Sequence, residues 1–498
     1  MNVNPITRLD YPDPDVIRVE DTYYMVSTTM HFMPGCEILQ SFDLVHWEHV
    51  TYVYETLDHT DAQQLKSGQN IYGQGMWAAS LRYHEGRFCI CFVANDTRKT
   101  YLYTSEKIDG PWKKQLIEGF YHDGSLLFDE DGRNYIVYGN DEIWITELNE
   151  DLTAPKKDGL HRLLVSDHKN PELGYEGSHI QKINGYYYIF LIHSLRDRWM
   201  RTEACFYSDS LEGEFTGGDV LCDDRGYCGQ GVAQGGIVDT PDGKWYAMLF
   251  QDSGAVGRIP ILLPVTWKDH FPFFGQNGHV PEEIEVHSTR PGYIYQPLVG
   301  SDDFCNGLLP RWQFNHDPDP RYYHLDALQG TYTITTREVC TELTQAVNSL
   351  TQRMSYPSCA AEVTVDASAL KEGDVAGLCA LQSCYAAVGI TKHHGKYEVL
   401  MLDKKEDGIL DMTDGTVVES HQMDFRLEAD FCNMKDEARC YYRVNKGDWL
   451  PIGTVHKLYF KLDHFTGCRF GLFCYAAEET GGSACFRDFK YYDVDEIS

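Results

Sequence analysis

The sequence predicts an all-β chain, a five-bladed β-propeller followed by a β-sandwich. Three observations predict it. A hairpin unit recurs five times in the first 300 residues. No long amphipathic helix interrupts it. The unit stops near residue 290, where short stretches of alternating apolar and polar residues take over.

The unit is an apolar strand, a short turn carrying Gly or Asp, and an aromatic-rich strand. The first copy runs Val16-Ile17-Arg18-Val19, turn Glu20-Asp21, Tyr23-Tyr24-Met25-Val26. The second has Leu81-Arg82-Tyr83, Glu85-Gly86 and Phe88-Cys89-Ile90-Cys91; the third Leu126-Leu127-Phe128, Asp131-Gly132 and Tyr135-Ile136-Val137-Tyr138. The fourth has Ile180-Gln181-Lys182-Ile183, Asn184-Gly185 and Tyr186-Tyr187-Tyr188-Ile189; the fifth Ile237-Val238, Asp242-Gly243 and Trp245-Tyr246-Ala247-Met248. Asn-Gly and Asp-Gly favour two-residue hairpins, because both central positions take positive φ. The turn residues at 21, 86, 132, 185 and 243 are 65, 46, 53 and 58 positions apart, the length of a four-stranded blade with variable loops. Unrelated hairpins of a single sandwich are the alternative. The propeller is expected over residues 1–290, a linker around Ser288-Thr289-Arg290-Pro291-Gly292 through 291–301, and the sandwich over 302–498. Segments such as Thr331-Tyr332-Thr333-Ile334 and Tyr397-Glu398-Val399-Leu400-Met401-Leu402 carry the last of these.

Composition excludes several functions. The 498 residues hold 43 Lys and Arg against 75 Asp and Glu, a net charge of −32, which repels nucleic acid and anionic lipid. Hydrophobic residues at 43% and aromatics at 13% argue against disorder. No run nears the roughly 18 apolar residues of a membrane span. The N-terminal Met1-Asn2-Val3-Asn4-Pro5 lacks the charge and apolar run of a signal peptide, so a cytoplasmic protein with 16 reduced cysteines is expected. Cys89-x-Cys91 is the closest pair and reads as two buried small hydrophobes, not a metal clip.

In a propeller the innermost strand of each blade lines the central channel, so equivalent positions converge on one mouth. Nine residues before Gly86, Gly132, Gly185 and Gly243 stand Trp77, Asp123, Glu176 and Gln234; eight before Asp21 stands Asp13. Three of these five are carboxylates, which raise one another's pKa and cost stability when gathered on one axis. Two chemistries use such a ring. Oxygen ligands hold calcium, or one protonated and one ionised carboxyl perform acid/base work. Trp77 favours a sugar, since indole stacks on its apolar face.

At these residues the sequence resembles glycoside hydrolase family 43. The resemblance runs through Tyr11-Pro12-Asp13-Pro14-Asp15-Val16-Ile17-Arg18, Met33-Pro34-Gly35, Ser41-Phe42-Asp43-Leu44-Val45-His46-Trp47 and Met76-Trp77-Ala78-Ala79-Ser80-Leu81. It continues through His122-Asp123-Gly124-Ser125-Leu126-Leu127-Phe128 and Glu176-Gly177-Ser178-His179. The tail, with Asp302-Asp303-Phe304 and Trp312-Gln313-Phe314-Asn315, is similar to the concanavalin-like jelly roll of its β-xylosidase and α-L-arabinofuranosidase branch. The resemblance implies Asp13 as general base, Glu176 as general acid and Asp123 as the carboxylate that tunes and orients the acid. It implies inversion at the anomeric carbon, with base and acid ~6.5–9.5 Å apart. Arg258 resembles the family's substrate arginine. Trp77 is expected in the sugar wall, His31 and Phe32 at the rim, and His193 beside Glu176 or the sugar. Asp-Pro-Ser and Trp-Ala-Pro of many members are here Asp13-Pro14-Asp15 and Trp77-Ala78-Ala79, and Gly124 stands where Pro is common. Where several relatives place a calcium- or water-supporting His near the axis, the register places Gln234. No cofactor or metal is therefore expected, with an axial calcium ion as the open alternative.

The expected function is inverting, exo-acting release of terminal α-L-arabinofuranosyl or β-D-xylosyl residues from hemicellulose-derived oligosaccharides such as arabinoxylan. A strict β-1,4-xylosidase and a non-catalytic sugar-binding propeller are the other readings. The sandwich is expected either to bind carbohydrate or to lend a loop to the pocket rim. Short oligosaccharides are the expected partners, and oligomeric state is left open.

Overall fold

The computed structural model describes residues 2–493, so the first residue and the last five of the expected domains lie outside the described residues. The chain is all-β, with three-residue 3-10 turns as its only helices among the described residues. Five four-stranded antiparallel blades form the propeller. Their innermost strands are Asp15–Val19, Met76–His84, Ser125–Phe128, Glu176–Ile183 and Ile237–Asp239. In the second and fourth blades the turns behave as expected: Glu85 and Gly86 have φ of 49° and 77°, and Asn184 and Gly185 have 51° and 86°. In the third and fifth, Asp131-Gly132 and Asp242-Gly243 lie instead in longer loops, over 129–133 and 240–244, where the glycine alone takes positive φ, at 83° and 81°.

Both faces of each blade are apolar because both are covered. One buried cluster fills each of the five seams. In the second blade Phe88, Ile90 and Phe92 face the first blade, while Cys89 and Cys91 face the third. Strand alternation thus explains the cysteine pair as seam packing, and burial pushes the two thiols up to about 11 and about 12.

Side chains also stitch each innermost strand to the next. Leu81 N–H donates to Asp15 Oδ2 (2.7 Å), Leu126 N–H to Ser80 Oγ (3.1 Å) and Ile180 N–H to Ser125 Oγ (3.1 Å). Gln181 Nε2 donates to the Ile237 carbonyl (2.8 Å), and Arg18 Nε to that of Asp239 (3.1 Å), closing the ring. Asn2–Val3 pairs with Glu283–Ile284 beside the fifth blade.

The expected linker is strapped down. Arg290 pairs with Asp21, and the Tyr295 hydroxyl accepts from Phe42 N–H (2.9 Å). Beyond it stand two antiparallel sheets of nine and seven strands. One strand of the larger sheet is not from the tail. Phe32–Met33, from the first blade's loop, pairs with Phe314 and Asn315 as its edge strand.

Around that edge His31, His316, His464 and Tyr72 form a buried cluster, with ring centroids 4.6–5.8 Å apart. Burial, then the neighbouring imidazoles, hold His31 well below its ordinary range and His316 at about 3; burial holds His464 at about 4. The fold therefore favours neutral imidazoles, whereas the unfolded chain takes up protons from about pH 6.5 downward. Their stabilisation is complete above about pH 6.5 and is lost toward pH 4, at up to about 1.4 kcal/mol per pH unit for each ring. Asp10 and Asp436, raised to about 6 by burial, work in the opposite sense over about pH 6 to 4. The imidazole contribution is thus read as a difference: His316→Gln is expected to flatten the fall of Tm between pH 6.5 and 4 relative to wild type. Parallel Tm curves would contradict it.

Candidate active site

The five ring positions share one backbone signature. Asp13, Asp123 and Gln234 have φ of 53°, 48° and 59°, and in the other two blades the next residue takes that role, Ala78 at 36° and Gly177 at 65°. In those two blades the register shifts between Trp77 and Ser80 and between Glu176 and His179. A bulge re-aims a side chain, so each innermost strand begins with a kink that turns one residue into the channel mouth. Gly177 is required twice over: a Cβ there would lie 2.7 Å from Gln234 Cγ and Cδ.

The ring opens into a cavity of about 210 Å3. Asp13, Trp77, Asp123, Glu176, Gln234 and Arg258 all line it. Asp13 Oδ1 accepts from Arg258 Nη1 (2.7 Å) and Oδ2 from Thr28 Oγ1, whose oxygen in turn accepts from Ala78 N–H (2.9 Å). Arg258 is buried, not a surface ion pair. Its Nε meets Asp252 Oδ1 (3.2 Å), and Asp252 Oδ2 also accepts from Arg201 Nη1. Burial opposes the Arg258 charge, but Asp13 and Asp252 hold its pKa above the ordinary value. Asp123 Oδ2 accepts from Gly177 N–H (3.0 Å), and Glu176 Oε2 from Asn140 Nδ2 (2.7 Å). Burial raises the Asp123 carboxyl to about 6 against the lowering influence of His122. Gln234 N–H donates to Glu203 Oε2 (2.7 Å), a carboxyl that burial pushes well above its usual range.

Three expected positions lie elsewhere. His31 and Phe32 do not reach the rim; they are buried where the blade loop joins the sandwich sheet, with His31 Nε2 3.1 Å from Asn315 Oδ1. His193 follows Ile192, the strand partner of Glu176, so alternation turns it the other way, onto Asp167 and Asp219 (3.2 and 2.8 Å).

Six lining residues carry no sequence expectation. His122 stands between Asp123 and Glu176, its Nε2 3.6 and 3.5 Å from their carboxylates. Leu173, Trp199 and Arg201 come from the fourth blade's side, and Leu462 and Phe465 from the sandwich. Phe465 packs on Trp77 (centroids 5.1 Å apart) and covers the Arg258 guanidinium at 3.9 Å. Asp10 aligns the two domains here, accepting from Arg258 N–H (2.7 Å) and Gly467 N–H (2.8 Å).

The axis beneath does not suit calcium, which wants six to eight oxygens. Asp15 there is committed to Arg82 (2.7 Å), Leu81 N–H and His179 (3.1 Å). Only His122, Asp123 and Glu176 bring three ligand atoms within 4.8 Å among the described residues, and these are the groups that line the cavity.

Comparison with known proteins meets this geometry. Residues 3–272 match the sequence profile of glycosyl hydrolases family 43. The chain belongs to that family. Residues 301–492 match the β-xylosidase C-terminal concanavalin A-like domain. This family 43 chain is 26% identical to a β-xylosidase of Formosa agariphila over 99% of its own length and 89% of the relative's. Among solved structures it matches a bifunctional GH43-CE protein of Bacteroides eggerthii, at 41% identity and TM-score 0.91. It is covered entirely but spans only 64% of that longer chain. An engineered family 43 enzyme, described as displaying both endo-xylanase and exo-arabinofuranosidase activity, matches at 26% identity and TM-score 0.88 over 99% of both chains.

Proposed function

We propose that this family 43 chain is an inverting, exo-acting glycoside hydrolase that releases terminal pentosyl residues, α-L-arabinofuranosyl, β-D-xylosyl or both, from oligosaccharides such as those of arabinoxylan. The observation that carries this reading is the cavity: three carboxylates from three blades meet in about 210 Å3 walled by Trp77 and Phe465. That is small for a ligand site and fits about one sugar ring.

In this reading Asp13 takes a proton from water as the water oxygen attacks the anomeric carbon. Glu176 gives a proton to the departing glycosidic oxygen. Thr28 and Arg258 fix both oxygens of Asp13, so the base keeps one orientation. Asn140 holds Glu176 Oε2 and leaves Oε1 for the leaving group. Asp123 anchors the Gly177 backbone beside the acid. Trp77 and Phe465 exclude water and stack on the sugar, and Arg201 offers a further cation to its hydroxyls. The naming of both the F. agariphila relative and the C-terminal domain for β-xylosidase favours xylosides as the preferred substrates.

The test is a panel of para-nitrophenyl pentosides and arabinoxylan oligomers, with proton NMR of the first sugar released. The expected result is free pentose in the inverted configuration. Release of internal fragments or of the retained anomer would overturn the reading.

A further inference from the structure

The charged groups gathered at this mouth do not balance unless one extra cation is counted. Four carboxylates meet there: Asp13, Asp123 and Glu176 in the wall, and Asp252 behind it. Two arginines face them, Arg258 on Asp13 and Asp252, and Arg201 on Asp252. Glu203, whose carboxyl burial pushes well above its usual range, is left out of the count. With the arginines alone, two of the four carboxyls must be protonated for neutrality. The proposed mechanism tolerates one proton, on the acid, since a second on Asp13 silences the base.

We propose that His122 is a positioning residue, whose imidazolium between Asp123 and Glu176 supplies the third cation and so limits the pocket to a single carboxyl proton. This rests on the acid and base roles proposed above. Its geometry stands by itself. Nε2 lies 3.6 Å from Asp123 Oδ2 and 3.5 Å from Glu176 Oε2, within reach of both and committed to neither. Trp77 flanks the ring edge-on at 6.4 Å, and the carboxylates that raise the imidazole are these two and, further off, Asp13. Asp123, then Glu176, hold the imidazole up to about 9 against its burial, so it stays charged across the neutral range.

The sign of the effect follows. Removing a cation this close to carboxylates raises their proton affinity by about one pH unit or more. His122→Gln is therefore expected to move both limbs of the kcat/KM profile to higher pH. The alkaline limb, which reports loss of the acid's proton, moves further, because Glu176 is the nearer of the two catalytic carboxyls. His122→Lys restores a cation and is expected to bring the limbs back toward wild type. A lowered kcat with unshifted limbs would show that the ring merely packs, and would overturn the inference. Independently of activity, the 13Cε1 histidine NMR signal of His122 in the wild-type protein is expected to remain that of an imidazolium at pH 7.5. A neutral ring there would also overturn it. The parent reading fails separately: a wild-type chain that cleaves no pentoside, or that retains configuration, sinks the function whatever the His122 signal shows.

Discussion

Asp13→Ala is expected to be inactive toward every pentoside, whatever its leaving group, while remaining folded. Both departing-group chemistries need an activated water, and no other carboxylate on that wall can replace the base. General-base catalysis contributes about 10²–10⁴-fold, and the loss should sit in kcat. The substitution has a structural cost, because Arg258 loses one of its two carboxylate partners. Breaking a buried ion pair costs about 3–5 kcal/mol when the survivor is left alone. Here Asp252 still faces Arg258 at 3.2 Å, so the cost falls below that range. Asp13→Asn, which keeps a polar atom for Arg258 and Thr28, separates the two effects. It should melt close to wild type and be equally inactive. Normal turnover in either folded variant would refute the base role.

Glu176→Ala is expected to divide substrates by leaving group. A natural glycosidic oxygen departs poorly without a proton, so xylobiose and arabinoxylan oligomers should lose about 10³-fold or more in kcat/KM. A dinitrophenyl pentoside, whose phenolate leaves unaided, should keep activity within about tenfold. Steady-state kinetics on the two substrate classes decides the matter, and equal losses would sink the acid assignment. The variant should fold, since Glu176 sits at a strand start and is bonded by one amide, Asn140.

The ring of five positions was legible because a repeat counts. Four blades place a turn glycine nine residues after the mouth position and the first blade's turn comes one residue sooner, so spacing alone aligned Asp13, Trp77, Asp123, Glu176 and Gln234. The backbone kinks that aim them were not legible, since positive φ at Asp13 or Gln234 has no glycine to announce it. His122 stands next to an aligned residue, but only distances show that it faces two carboxylates. Trp199 lies in the connection between the fourth blade's second and third strands and Arg201 opens the third strand, where loop length varies between blades and the register gives no guidance. Leu462 and Phe465 come from a domain without the repeat. The misplacement of His31 and Phe32 has a plain cause. Their nearness in sequence to the first blade does not reveal that this loop finishes another domain's sheet.

That borrowed edge strand and the Phe465 wall also impose an order on the protein's birth. A ribosome releases Asp13, Asp123 and Glu176 long before Leu462 and Phe465. Until those residues emerge the acids lack their sandwich-side cover, and Phe32–Met33 lacks its partner strand, which lies some 280 residues downstream. The pocket closes only when the last strands of the sandwich dock. An interrupted chain keeps the whole carboxylate set and Trp77 yet lacks Leu462 and Phe465, the half of the wall that the sandwich supplies. Swapping tails between relatives is for the same reason a change of the substrate chamber itself, not the exchange of an appendage.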